Sequence, residues 1–318
     1  MLNTMRPTKV ADILLCHKRL KETISPITTN CAKRSLHKSS GETNHKSWSV
    51  LKHLHSKDLT KGGKNYACLL LNISDKSHEK FEPHKHIWDN ANFKVAVDQS
   101  ANYLSKRRAL HTADIISGDL DSIDAKLIQR IHNPRRPIKE AGKQHNEGPG
   151  PSTTVEMPPV IETPSQKETD FTKAIRVVDS IKPDMKFFFA IYHSDGTRLD
   201  HIFGLVNTLH LFKTHAIFLL NTQSNTVSWL LSPGHHTILK PPGQENCSIV
   251  PFTGQAEVRT QGLLYNLHTH LPLNFSGLIS TSNSFSKERD KIFIETNKEI
   301  LFSIDLANSE PATANKPA

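Results

Sequence analysis

The chain has 318 residues, of which 36% are hydrophobic, with a mean hydropathy of −0.45 and a formal charge of +9. It is long enough for two domains and a large core, and its charge sits at one end: residues 1–63 carry 12 Lys and Arg against 4 Asp and Glu, leaving a net +1 for everything after them. A nearly neutral body argues against nucleic acid as a partner, since phosphate recognition needs a basic patch on the folded domain; the lack of an apolar run of about 18 residues or of a secretory core argues against a membrane span and against export.

Residues 1–63 read as a basic, disordered extension rich in Lys, Ser, Thr, Asn and His. A small apolar island, Val10–Leu15, is flanked by Arg6, Lys9, Lys18 and Arg19, so a mitochondrial transit segment is the alternative reading. The four cysteines, Cys16, Cys31, Cys68 and Cys247, are far apart and form no CxxC pair. That usage suits a reducing compartment, and the cytoplasm is the expected location.

The ordered body is expected to open at Tyr66–Asn72, an apolar run of buried-strand type, followed by Phe93–Asp98 as a second strand and a helix opening at Ala101–Leu104. A third run, residues 114–118, ends in Gly118-Asp119-Leu120-Asp121. On an extended backbone the two carboxylates leave the same face, and like charges that close call for a hard cation such as Mg²⁺. A solvated turn explains the same four residues equally well. Strand, connection and strand ending in an acid suggest a parallel α/β sheet, with Asp98, Asp119 and Asp121 facing one crevice beyond the strand ends.

Six prolines and three glycines between about 133 and 159 mark a flexible insertion. Beyond it, 160–163 reads as a strand, and Phe171, Ala174, Ile175, Val178 and Ile181 recur at helical spacing. Thr169 and Asp170 at that helix's start serve either as caps or as phosphate and metal contacts at a positive helix end. Phe187–Tyr192 is the next strand, and Arg198 and Asp200 precede a helix through Ile202, Leu205, Val206 and Leu209. Their pairing is open between a structural ion pair and a phosphate clamp. From Ala216 onward, short strands spaced near ten residues, among them 216–220, 256–260, 263–267 and 277–280, argue for an antiparallel sandwich. The HxH pairs His53/His55, His84/His86 and His268/His270 lack a third ligand nearby and read as exposed polar residues. The expected layout is an α/β N-terminal domain over 64–211, with a mostly parallel sheet flanked by helices, then an all-β sandwich over 212–307 and a disordered tail over 308–318.

Six segments together resemble one family. Ser-Gly-Asp-Leu-Asp-Ser-Ile at 117–123, Thr-Asp-Phe-Thr-Lys-Ala at 169–174, Arg-Leu-Asp-His at 198–201 with Val-Asn-Thr-Leu at 206–209, Ser-Pro-Gly-His-His at 232–236, Gly-Leu-Leu-Tyr-Asn-Leu at 262–267 and Ser-Thr-Ser-Asn at 280–283 are similar, in order and spacing, to thiamine pyrophosphokinases (thiamine diphosphokinases). The resemblance covers about residues 64–307. It implies a homodimer, with sites at the subunit interface, that makes thiamine diphosphate and AMP from ATP and thiamine. It implies an acidic Mg²⁺–ATP site of Asp98, Asp119, Asp121 and Asp170, nucleotide or phosphate contacts from Asn102, Gln166 and Thr169, and Arg198 and Asp200 at the phosphate and substrate end. The catalytic set so implied is Asp98, Asp121, Arg198 and Asp200. Ser282 and Asn283 would hold thiamine, and Tyr265 stands where the animal enzymes have a tryptophan that stacks on the thiamine ring. The sequence departs from the family at Gln99 and Ser100, and at His193 and Ser194, where the family has glycines. Side chains crowding the site there would leave a catalytically weak homologue that binds thiamine or its diphosphate.

Overall fold

The computed structural model describes residues 45–48, 65–132, 157–194, 198–241 and 246–306. The apolar island at 10–15, most of the Pro- and Gly-rich insertion and the C-terminal tail fall outside these residues. After a first strand, β1 (His45–Trp48), six strands run parallel: β2 (Ala67–Leu71), β3 (Phe93–Val97), β4 (Ile115–Gly118), β5 (Val160–Glu162), β6 (Phe187–Tyr192) and β7 (Ala216–Asn221). The helices between them are α1 (His78–Phe81), α2 (Lys85–Asp89), α3 (Gln99–Lys106), α4 (Ala125–His132), α5 (Asp170–Ile181) and α6 (Leu199–Leu211). None of the described helices is long and apolar enough to cross a membrane.

Why β2 is central is written in its residues. Ala67-Cys68-Leu69-Leu70-Leu71 is buried at every position, as a parallel strand covered on both faces must be. Leu69 and Leu71 point toward Phe171, Ala174, Ile175 and Val178 of α5 and Val206 and Leu209 of α6. Cys68 and Leu70 point the other way, into a core shared with Trp88, Ala101, Leu104 and Leu127. That second core continues without a break into Phe218, Trp229, Ile238, Ile292 and Phe302 of the C-terminal half.

The C-terminal half supplies β8 (Thr226–Leu231), β9 (Gly234–Leu239), β10 (Asn246–Val250), β11 (Val258–Gln261), β12 (Ser280–Ser284), β13 (Lys291–Thr296) and β14 (Ile300–Asp305). One ten-stranded sheet runs through both halves in the order β12-β10-β14-β8-β7-β6-β2-β3-β4-β5, and a four-stranded sheet, β1-β9-β13-β11, completes the sandwich. The alternation in β13, where Ile292, Ile294 and Thr296 are buried and Lys291, Phe293 and Glu295 are exposed, is what a sheet with one wet face requires.

Four expectations change here. Ala216–Asn221 pairs parallel with β6, so the switch to antiparallel pairing comes after it, at the β7–β8 hairpin, not at residue 212. Residues 263–267 form no strand beyond an isolated bridge from Leu263 to Phe285, because Gly262 turns the chain at φ +98. Part of the supposed N-terminal extension is folded: His45–Trp48 pairs parallel with β9. Trp48 Nε1 donates to His236 Nδ1 at 2.9 Å, and His236 Nε2 donates onward to the carbonyl of Ser232 at 2.8 Å. Among the HxH residues, His84 is buried rather than exposed.

Candidate active site

The parallel strands deliver their C-terminal ends to one edge, and three carboxylates meet there. Asp98 follows β3, Asp119 follows β4 and Asp170 opens α5; one oxygen from each lies within 4.8 Å of the others. The backbone is bent to achieve this. Asp98 sits at φ +42 and Leu120 at φ +68, conformations non-glycine residues rarely adopt, while Gly118 at φ +150 has no room for a side chain: a Cβ there would lie 1.9 Å from Asp98 Oδ1. Strain of this kind collects at functional sites. The Gly in Gly-Asp-Leu-Asp is therefore the space that the Asp98 carboxylate occupies.

Asp98 is buried, and its Oδ1 accepts the Leu120 N–H at 3.0 Å. Burial, followed by the charge of Asp170, pushes its pKa up to about 7, against the pull of that N–H; Asp119 and Asp121 add to the rise. Asp119 goes the other way. Partial burial opposes its charge, but the Gln166 amide, the Asp121 N–H and the Lys173 ammonium outweigh that, and its pKa falls below the usual carboxylate range. Pairs of acids pushed apart in this way hold one proton between them until a cation replaces it. An all-carboxylate donor set suits a hard divalent ion, so the residues present fit Mg²⁺.

Asp121 is not one of the three. Leu120 turns the chain, so the two-residue repeat of an extended strand does not apply; Asp121 N–H reaches back to Asp119 Oδ1 at 3.3 Å and its carboxylate accepts Ser122 Oγ at 2.8 Å. Gln166 does join the cluster, donating from Nε2 to Asp119 Oδ2 at 2.9 Å. Thr169 caps α5, its hydroxyl accepting Thr172 N–H at 3.2 Å. Asn102, expected at the nucleotide, is buried and spent: Nδ2 donates to the Ser122 carbonyl and Oδ1 accepts the Asp124 N–H, both at 2.8 Å, so it braces the acidic turn from behind.

Beside α5 lies α6. Thr172 and Thr208 hydroxyls meet at 2.8 Å, and Gly204 lets Thr169 Cγ2 approach to within 3.2 Å of where its Cβ would be, so both helices present their N-termini to the same edge. Arg198 and Asp200 are paired there, Nε to Oδ1 at 3.1 Å and an Nη to Oδ2 at 2.5 Å. The hydrogen bonds from Arg198 hold Asp200 below the usual carboxylate range. The side chains replacing family glycines are tied to neighbours: Ser100 Oγ accepts Ile73 N–H at 3.1 Å, His193 Nδ1 meets Thr222 Oγ1 at 2.9 Å and Ser194 Oγ donates to Asn221 Oδ1 at 3.0 Å.

The thiamine-side residues lie elsewhere. Tyr265 is 66% exposed. Asn283, expected to touch the ligand, is buried, and its amide is fully used: Oδ1 accepts the Tyr265 N–H at 3.2 Å and the Ser284 N–H at 2.9 Å, while Nδ2 donates to the Tyr265 carbonyl at 2.8 Å and to Ser280 Oγ at 3.1 Å. It fixes the backbone of Tyr265 and leaves the ring outside. Ser282, on the same strand, is exposed. β12 and β4 stand eight places apart in the ten-stranded sheet, roughly 38 Å at the usual strand spacing.

Neither Lys173 nor the clamping role of Asn283 was anticipated from sequence. Lys173 is 6% exposed and its Nζ lies 2.5 Å from Asp170 Oδ1. A lysine three residues after an acid on a helix was the only available signal.

Known proteins resemble this chain in sequence and in fold. Two family models match: "Thiamin pyrophosphokinase, catalytic domain" over residues 84–148 and "Thiamin pyrophosphokinase, vitamin B1 binding domain" over 235–301. Thiamine pyrophosphokinase 3 of Oryza sativa subsp. japonica is 28% identical over 266 residues, covering 77% of this chain and 88% of its own. Thiamin pyrophosphokinase 1 of Caenorhabditis elegans is 23% identical, covering 70% of this chain and 83% of its own. In fold, the chain is similar to thiamin pyrophosphokinase from Candida albicans, with a TM-score of 0.58 and 17% identity over 86% of this chain and 96% of that one. Along both of its halves, the chain is similar to thiamine pyrophosphokinases.

Proposed function

We propose that this chain is a thiamine diphosphokinase, which transfers the diphosphoryl group of ATP to the hydroxyl of thiamine and releases AMP. The observation that carries the reading is the convergence of Asp98, Asp119 and Asp170 at the C-terminal edge of the parallel sheet, where α/β folds place their ligands. The hydroxyl oxygen of thiamine bonds to the β-phosphorus as the bond from that phosphorus to the bridging oxygen breaks, and AMP leaves with the electron pair. Such transfers depend on positioning and charge neutralisation. Asp98, Asp119 and Asp170 would hold Mg²⁺, which neutralises phosphate oxygens when bound. Gln166 orients Asp119. Arg198, 72% exposed and aligned by Asp200, reaches the transferring oxygens at the entrance of α6. Asp121, outside the trio, receives the hydroxyl proton.

A second copy of the chain completes the site. The Tyr265 platform is too far from the acids of its own chain, and apolar side chains stand exposed both at the start of α6, Leu199 and Phe203, and next to Tyr265, at Leu264. Faces of this kind mark association sites. Incubating the protein with ATP, Mg²⁺ and thiamine is expected to give thiamine diphosphate and AMP. No product above an Asp119→Asn control would overturn the reading, and thiamine binding without product would favour the weak homologue. Mixing Asp119→Asn chains with Tyr265→Ala chains restores activity if the site is shared between two copies, because one of the two sites in a mixed dimer is then intact.

A further inference from the structure

Lys173 is almost wholly buried, yet it reaches three acceptors. Its ammonium lies 2.5 Å from Asp170 Oδ1 and donates to the carbonyls of Thr163 at 2.8 Å and Ser165 at 3.2 Å. Two of its N–H groups donate to the two carbonyls and the ammonium ion-pairs with Asp170 Oδ1, so the charge is balanced inside the protein. The two carbonyls belong to the segment between β5 and α5. That segment carries Gln166, which donates to Asp119, and it begins at Thr163, whose N–H donates to the Gly118 carbonyl at 2.7 Å. Lys173 thus joins Asp170 directly, and Asp119 through Gln166, to one buried point.

We propose that Lys173 is the positioning residue of the acid trio, a built-in cation that keeps the carboxylates assembled without metal and weakens their hold on a divalent ion. This rests on reading the trio as the Mg²⁺ site. Three acids this close would repel one another apart if nothing positive lay among them. A unit charge beside Asp170 opposes an incoming divalent ion by more than a tenfold step in affinity at the effective dielectric of a partly buried site. The consequence is a site that is formed in advance yet binds its metal weakly, so that the ion enters and leaves with the nucleotide instead of residing in the protein. Arg198 contacts phosphate from outside; Lys173 acts only through the acids and their loop.

The test is the affinity for Mg²⁺ alone, measured by calorimetry without nucleotide, in wild type, K173M and K173R, together with the unfolding temperature of each. K173M is expected to bind Mg²⁺ about tenfold more tightly than wild type, and K173R, which keeps the charge, to stay within about threefold of it. The metal-free K173M protein is expected to unfold at lower temperature and to regain more of that loss on adding Mg²⁺ than wild type gains. Its kcat falls while its KM for thiamine stays unchanged. If K173M does not fold, K173Q, which retains donors for the two carbonyls, takes its place. Equal or weaker Mg²⁺ binding in the neutral variant, with wild type binding normally, would make Lys173 a packing residue and overturn the proposal. No Mg²⁺ binding in wild type would instead remove the metal reading itself, and the proposal with it.

Discussion

The acid-lined edge and the Tyr265 platform are built in opposite ways. At the acid edge, charged groups converge, the backbone is forced to positive φ at Asp98, Gly118 and Leu120, and Asp98 is buried against other acids. At the platform the buried polar group, Asn283, has every hydrogen bond satisfied, and what stands exposed is the ring of Tyr265 with its chain neighbour Leu264. One region gathers carboxylates around a buried lysine, and the other presents an exposed aromatic ring. The contrast teaches that the two suit different chemistry: clustered carboxylates suit a hard cation, and an exposed aromatic ring suits a flat or apolar surface.

The contrast can be broken first at Arg198. Its ion pair with Asp200 is exposed and carries no structural load. Arg198→Ala is expected to lower kcat by about 10²–10³-fold, the usual cost of one lost donor to developing charge, while the unfolding temperature stays put. A large loss of stability with little loss of rate would make it structural. Gly118→Ala is next: its Cβ meets the Asp98 carboxylate, and the imposed strain costs about 1–3 kcal/mol in denaturant unfolding. The same change at Gly254, where a Cβ would meet nothing within 4 Å, isolates the strain of positive φ from the clash.

The third prediction concerns pH. Asp98 has a pKa of about 7 in the folded chain against 3.8 ordinarily. Between these values the native state keeps a proton that the unfolded state has lost, so metal-free stability falls as pH rises from about 4 through about 7, by at most about 1.4 kcal/mol per unit, and is level above. Asp98→Asn should flatten that slope in urea titrations at pH 5 to 8, and Mg²⁺ should restore stability at the alkaline end. The smallest effect belongs to the platform. Asn283→Ala frees the backbone of Tyr265 and is expected to raise KM for thiamine about tenfold, the scale of one or two lost hydrogen bonds, with kcat little changed and Mg²⁺ affinity untouched. A change in Mg²⁺ affinity would show that the two regions are not separate.

Strand positions in the parallel half were legible because each is a short apolar run bounded by turn residues, and α5 because its apolar residues repeat at helical spacing. Asp98 and Asp119 are legible because they end two of those runs, and Asp170 because it opens the periodic helix. Asn102 and Asn283 are ambiguous in the sequence for a common reason: an amide can contact a ligand or satisfy a backbone, and only burial and the position of the partner backbone show the second role. β1 was missed because His45-Lys46-Ser47-Trp48 is polar at three of its four positions, and its place depends on the open edge of β9.

What the sequence by itself determined is the set of local elements, the family motifs and the chemical identity of the acids, since those depend on residues close in the chain. Tertiary structure alone decided which acids meet. Of the four acids that the motifs offer, Asp98, Asp119 and Asp170 meet because α5 starts at the edge where β3 and β4 end, whereas Leu120 turns Asp121 away from them. It also decided that Lys173 lies under the acids and that Tyr265 stands eight strands from them, because pairing order in a sheet is set by long-range packing and not by order along the chain.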